Sequence, residues 1–332
     1  MLIEGLLCIV SLSPVRGPGP RATRLGAIAD TLGRRARIAV LVAPAHEDAA
    51  RSLAALALAQ RNATGGVEAW ELPAADHAPR FNQFRAHVYA LRRAVRDSSV
   101  HWVYWMNDHT FVVAENLGCY VAGLSRTEPV YAGLRLWGPC CGLFNSAAAG
   151  YVLNRKAVGL LVKRWNDIAS GESDEQCDPH SKKAQIALCL KRLDARAVPI
   201  DTRDAAGAER FHVYGPIRLA TGSIDDWLVN KKKNIVPPET FAADASAVSS
   251  DAISFHYVAE KEHQLLDRLL HRHASILDRA DAAAALASMW PRGREELGGY
   301  AHPWPGRNER AAAGVVGLLR RLRVCEATMS VT

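Results

Sequence analysis

The sequence predicts an α/β protein built on a mostly parallel central sheet flanked by helices, and three observations carry that prediction. From residue 5 to about 200, apolar runs of strand length alternate with helix-length amphipathic stretches, the pattern of repeated strand-helix-strand units. One run, Trp102 to Met106, is made of apolar β-formers and stops at the polar stretch Asn107 to Thr110, as expected of a strand buried on both faces that runs out into a ligand-facing edge. The composition, 49% hydrophobic and 23% charged over 332 residues, suits one large domain or two small ones.

Taken in order, Leu7 to Ser11 reads as the first strand. The apolar stretch around it is too short to span a bilayer and lacks a basic leader, so no transmembrane anchor is visible in the chain. A Pro/Gly-rich loop, Val15 to Pro20, leads to a helix from about Thr23 to Arg35. Arg37 to Ala43 is a second strand, followed by an Ala/Leu-rich helix from about His46 to Arg61. Val67 to Leu72 makes a third strand, and Phe81 to Arg96 a third helix that leads into the central run. Phe111 to Val113 resumes the apolar pattern before Glu115 and Asn116 open another helix, and Ala195 to Ile200 reads as a late strand. At the end, Ala282 to Met289 is helical, Pro291 to Arg310 is a Pro/Gly/Arg-rich linker, and Ala311 to Val324 is a short basic amphipathic helix. A helix of that kind packs on its domain or meets a membrane surface or partner. The chain thus divides into a body, 1–275, and a tail, 276–332.

The net charge of +7 does not by itself imply nucleic acid. Lys and Arg are scattered along helical stretches, and no zinc-finger or RNP-type signature occurs. Seven cysteines, at 8, 119, 140, 141, 177, 189 and 325, lack C-x-x-C spacing, so a zinc site is not expected, and the odd count leaves a thiol unpaired. Asn62-Ala63-Thr64 is an N-glycosylation sequon.

The first candidates for chemistry are Asn107, Asp108 and His109, because open α/β sheets bind ligands at the carboxyl ends of their strands. An Asp beside a His can hold a divalent metal through oxygen and imidazole. Asp and Asn are also common turn residues, and that reading stands beside the first.

Residues 102 to 117, W-V-Y-W-M-N-D-H-T-F-V-V-A-E-N-L, resemble the segment of family 31 glycosyltransferases, and most closely of core 1 β1,3-galactosyltransferases, that carries a Trp-containing strand, three acidic residues and Glu-Asn-Leu. Val130 to Gly133 resembles the family's Tyr-Phe-Gly strand, Ser146 to Leu153 its Ser-Gly-Gly-Ala-Gly-Tyr-Val-Leu, and Ser254 to Val258 reproduces its Ser-Phe-His-Tyr-Val. The resemblance extends over about residues 5 to 272. It implies a GT-A nucleotide-sugar-binding fold and transfer of a hexose from a UDP-sugar such as UDP-galactose to GalNAc or a similar sugar on a glycoprotein acceptor. It also implies manganese held by Asp108 or His109 with His256, and donor or acceptor contacts from Asn107, Asp108, Ala148, Ala149, Gly150, Trp227 and Asn230. A Cys177–Cys189 disulfide, residence in the Golgi or ER lumen and homo- or heterodimers follow from the same source, with no nucleic-acid partner. Small residues at 147 to 150 let backbone approach a sugar closely, or pack helix on sheet.

The departures fall at the chemistry. Asn107 and His109 replace two of the three acidic residues. An inverting transfer needs a base to take the acceptor hydroxyl's proton, yet the family's carboxylate pair falls on Lys182 and Lys183, which are protonated at neutral pH. Asp174, Glu175 and Asp178, on the preceding turn, are the carboxylates left to replace it. Two functions therefore stand side by side: an active transferase, or a catalytically impaired homologue serving as a chaperone or binding subunit.

Overall fold

A computed structural model describes residues 2–12, 21–42, 65–73, 83–138, 142–179, 181, 185–221, 248–258, 260–271, 314, 317–318 and 321–325. The helix expected at 46–61, the sequon, Lys182, Lys183, Trp227, Asn230 and the tail segment 282–310 lie outside these residues. The strands are β1 (Leu6–Ser11), β2 (Arg37–Val42), β3 (Val67–Glu71), β4 (Trp102–Asn107), β5 (Phe111–Val112), β6 (Tyr131–Gly133), β7 (Arg135–Gly138), β8 (Gly142–Asn145), β9 (Tyr151–Asn154), β10 (Phe211–His212) and β11 (Ser254–Phe255). The helices are α1 (Arg21–Thr31), α2 (Gln83–Arg96), α3 (Ala114–Ala122), α4 (Arg155–Ala169), α5 (Ile186–Leu193), α6 (Pro216–Thr221) and α7 (Glu260–His271).

Six strands form the main sheet in the order β3-β2-β1-β4-β9-β6. The first four pair in parallel, and β9 runs antiparallel to both β4 and β6. The fold is therefore mixed α/β with a mostly parallel central sheet. Period-two alternation sends β1 side chains to two cores. Cys8 and Val10 join Tyr104, Met106 and the α1 residues Leu25 and Ile28 on one face. Leu7 and Ile9 join Trp105, Leu91 of α2 and Trp165 of α4 on the other. Covering on both faces explains why these strands read as continuous apolar runs.

Two small sheets, β10-β11-β5 and the β7-β8 pair, flank the main one. The expected strand at Ala195 to Ile200 is corrected: Asp194 turns the chain by accepting the Arg196 N–H at 2.9 Å, and Pro199 has no N–H to donate. Only Ile200 pairs, through its N–H to Tyr131 O at 3.0 Å. The expected helix at 23–35 ends earlier as an α-helix, tightening into a 3-10 turn over Leu32–Arg34.

The described residues of the tail pack on the body. Leu318 and Leu322 enter the first core, and Cys325 forms a disulfide with Cys119 of α3. Asn116, buried on the same helix, donates to Ala252 O and Arg323 O at 2.9 and 2.8 Å and accepts from Cys325 N–H at 2.9 Å. Cys177 is bonded to Cys189, and Cys8 is a buried free thiol. No helix among the described residues is long and apolar enough to cross a membrane.

Candidate functional site

Parallel pairing sets Ser11, the last residue of β1, beside Asn107, the last of β4. Ser11 Oγ donates to Met106 O at 3.2 Å and Ser11 O accepts the Asp108 N–H at 3.2 Å. The turn that follows is stitched by one side chain. Asn107 Oδ1 accepts the His109 N–H at 3.0 Å and lies 3.1 Å from Thr110 Oγ1, which is equally close to Ala148 O. This is the turn chemistry expected of Asn, and it also aims Asn107 Nδ2 at the His256 ring, 3.1 Å from Nε2.

His256 stands at the end of β11, whose antiparallel pairing with β5 brings it to the turn. Its ring stacks on that of His109 with centroids 6.0 Å apart. Burial, with His109 adding to it, lowers its pKa to about 3. The imidazole is therefore neutral at physiological pH. With Asn107 as the donor, Nε2 accepts and Nδ1 carries the proton, buried without a hydrogen-bond partner among the described residues. Next to it Tyr257 is 41% exposed and adopts a φ of 59°, a conformation uncommon outside glycine.

Ala148, Ala149 and Gly150 also reach this edge, chiefly through their backbone. Ala149 O accepts from Tyr104 Oη at 3.0 Å and Ser254 Oγ at 2.5 Å. Gly150 has a φ of 82°, and a Cβ there would lie 2.1 Å from the Tyr104 hydroxyl. Tight packing alone thus requires glycine at 150.

Asp108 has a different partner from the one the resemblance implies. Its Oδ2 is held by Arg24 of α1, from Nε at 3.1 Å and Nη2 at 2.7 Å, and both side chains are buried. Oδ1 is 3.7 Å from His109 Nε2. A hard divalent cation seeks several converging oxygens. Here the turn's single carboxylate is engaged by a guanidinium and His256 Nε2 by Asn107. Among the described residues no group of three His, Cys, Asp or Glu side chains is placed to hold a metal. Asp108, His109 and His256 meet at one edge, but as they stand they do not fit manganese.

Of the three loop carboxylates, Asp174 is engaged in ion pairs of its own. Asp174 Oδ2 pairs with Arg164 and Arg192, each at 3.1 Å, and Asp174 Oδ1 accepts the Gln176 N–H at 3.2 Å. These contacts brace the loop closed by the Cys177–Cys189 bond. Glu175 is exposed and Asp178 half-buried on the same loop.

Three residues escaped the sequence reading. Arg24 and His263 sit on the buried stripes of α1 and α7, and a charged or polar residue at helical spacing with Ile28 or Leu266 was the available signal. Burial, the field of His109 and the Arg24 charge lower the His263 pKa to about 3, against the pull of Asp108 and Asp267. Glu209, just before β10, is raised to about 7, first by burial and against the opposing charge of Arg203. No sequence pattern marked it.

No family model matches the chain. Over 194 residues the chain is 24% identical to the glycoprotein-N-acetylgalactosamine 3-beta-galactosyltransferase 1 of Xenopus laevis, an alignment covering 56% of this chain and 48% of that protein. The chain thus spans about half the length of this curated relative, and its relationship is galactosyltransferase-like.

Proposed function

We propose that the chain is a glycosyltransferase with a GT-A-type fold that binds a UDP-sugar at the carboxyl edge of β1 and β4. The acceptor is a sugar such as GalNAc on a glycoprotein. The observation that carries this reading is the meeting of the Asn107–Thr110 turn, His256 and the Ala148–Gly150 backbone at one sheet edge, in a chain similar to a 3-beta-galactosyltransferase. Ligand sites belong at such edges.

In this reading the turn and the neutral His256 orient the donor through uncharged hydrogen bonds. The leaving diphosphate still needs positive charge. Lys182 and Lys183, which stand where the family has its acidic pair, are the cations we assign to it. The two disulfides among the described residues support residence in an oxidising compartment such as the secretory lumen.

One observation favours a second reading, a non-catalytic binding or chaperone subunit. The Arg24–Asp108 pair occupies the acidic position, and no described carboxylate at the turn is left to act as base. Calorimetric titration of the full chain with UDP, in EDTA and in manganese, followed by UDP release with UDP-galactose and a GalNAc-bearing glycopeptide, separates the two. Binding retained in EDTA, lost in Lys182→Ala/Lys183→Ala, together with acceptor-stimulated release, supports the transferase. Absence of nucleotide binding in both conditions overturns it and leaves the binding subunit.

A further inference from the structure

We propose that a groove between α2 and the outer strand β3 is a second binding site, for a multiply charged phosphate- or sulfate-ester ligand. The groove has a volume of about 680 Å³ and lies on the sheet face opposite α1, with Arg37, Trp70, Tyr89, Arg92, Arg93 and Arg96 among its lining residues. It is a separate place from the strand-end turn and does not rest on the donor reading.

The charges in the groove do not balance. Its two acids are already engaged: Asp97 lies 2.7 Å and Glu68 3.4 Å from Arg37, and Glu68 also accepts from Trp70 Nε1 at 3.0 Å. Arg92, Arg93 and Arg96 have no carboxylate partner among the described residues. Arg92 donates Nη2 to Trp165 O at 3.0 Å while its Nε is buried without a hydrogen-bond partner. Arg93 lies 4.8 Å over the Trp70 ring.

Tyr89, Arg92, Arg93 and Arg96 recur at helical spacing on α2, which points them at the same concavity. Arg93 and Arg96 are exposed, as in a solvated basic stripe, but Arg92 between them and the sheet is half-buried, and burial and the neighbouring Arg96 both weigh against its charge. An oxyanion seated between them removes that cost. Guanidinium forks match phosphate and sulfate oxygens in pairs, and three uncompensated cations call for a ligand with at least two anionic groups. Tyr89, half-buried in the lining, adds a flat apolar wall suited to the carbon skeleton of a sugar ester.

The test is titration of the full chain with inorganic pyrophosphate and, separately, with sucrose octasulfate. Arg93→Gln/Arg96→Gln is the variant, since both residues are exposed and their loss leaves the Arg92–Trp165 bond in place. We expect saturable binding of one or both probes, weakened roughly tenfold or more in the variant. Tighter binding of pyrophosphate identifies a phosphate ligand, and tighter binding of the octasulfate a sulfated sugar. No binding of either probe, an unchanged affinity in the variant, or an equal loss in the exposed control Arg126→Gln overturns the proposal. Circular dichroism establishes that the variants are folded.

Discussion

Arg24 and Asp108 are fully legible as letters, but their partnership, across 84 positions, is not. Sequence locates Asp108 because a polar break after an apolar run is a local pattern. It does not reveal a guanidinium delivered from the buried stripe of another helix, which depends on how α1 packs. Removing one member of a buried ion pair strands the other charge. Arg24→Ala is therefore expected to lose about 3–5 kcal/mol of stability, read as a lower urea midpoint, while Arg24→Met/Asp108→Leu recovers most of it. An equal loss in the single and double variants would show that the pair itself is not the cause. Gly150 is legible as a small residue, whereas its reason, the Tyr104 hydroxyl beneath a positive φ, is tertiary. Gly150→Ala is expected to destabilise by about 2–4 kcal/mol, through backbone strain plus overpacking, with the thermal midpoint as the readout.

At the scale of elements, β1, β2 and β4 follow from their apolar runs, because burial on both faces leaves a pattern that needs no partner to be seen, whereas the edge strand β3 buries Val67 and Trp70 and leaves Glu68 and Glu71 exposed. The two-residue strands β10 and β11 are too short to make one, and Ala195 to Ile200 misleads because a run with Pro199 and an Asp-led turn cannot pair along its length. How α7 docks is equally invisible. Arg35 lies 2.8 Å from Asp267, and His271 lies 3.0 Å from Glu115 and 3.1 Å from Asp267. Burial alone would lower the His271 pKa, but the Asp267 and Glu115 carboxylates outweigh it and raise it to about 9. A folded-state pKa above the ordinary 6.5 contributes stability that is whole below pH 6.5 and is lost as pH rises through about 9. Thermal midpoints across that window should fall in the wild type, by about 2 kcal/mol of stability after allowing for solvent screening. His271→Gln should flatten this part of the profile. A wild-type profile as flat as the variant's would mean that the network does not hold the helix.

Across the whole molecule, the Cys119–Cys325 bond joins residues 206 positions apart. Cysteine count told only that some thiols could pair, since pairing is decided by where α3 and the tail end meet. Long closed loops restrict the unfolded chain most, so Cys119→Ser/Cys325→Ser is expected to cost about 3–5 kcal/mol. It should also open Arg321 and Arg323 to trypsin, and cleavage there no faster than in the wild type would show that packing alone retains the segment.

The same bond orders events during synthesis. Asn116 and Cys119 of α3 wait for Arg323 and Cys325, made more than two hundred peptide bonds later, so a ribosome moving at about 5–20 residues per second leaves Cys119 without its partner for about 10–40 s. The nascent body therefore carries an unpaired thiol and an unfinished hydrophobic surface through that interval. Its last covalent step is a deadline set by chain elongation, which makes early oxidation to the wrong cysteine a competing fate for each molecule made.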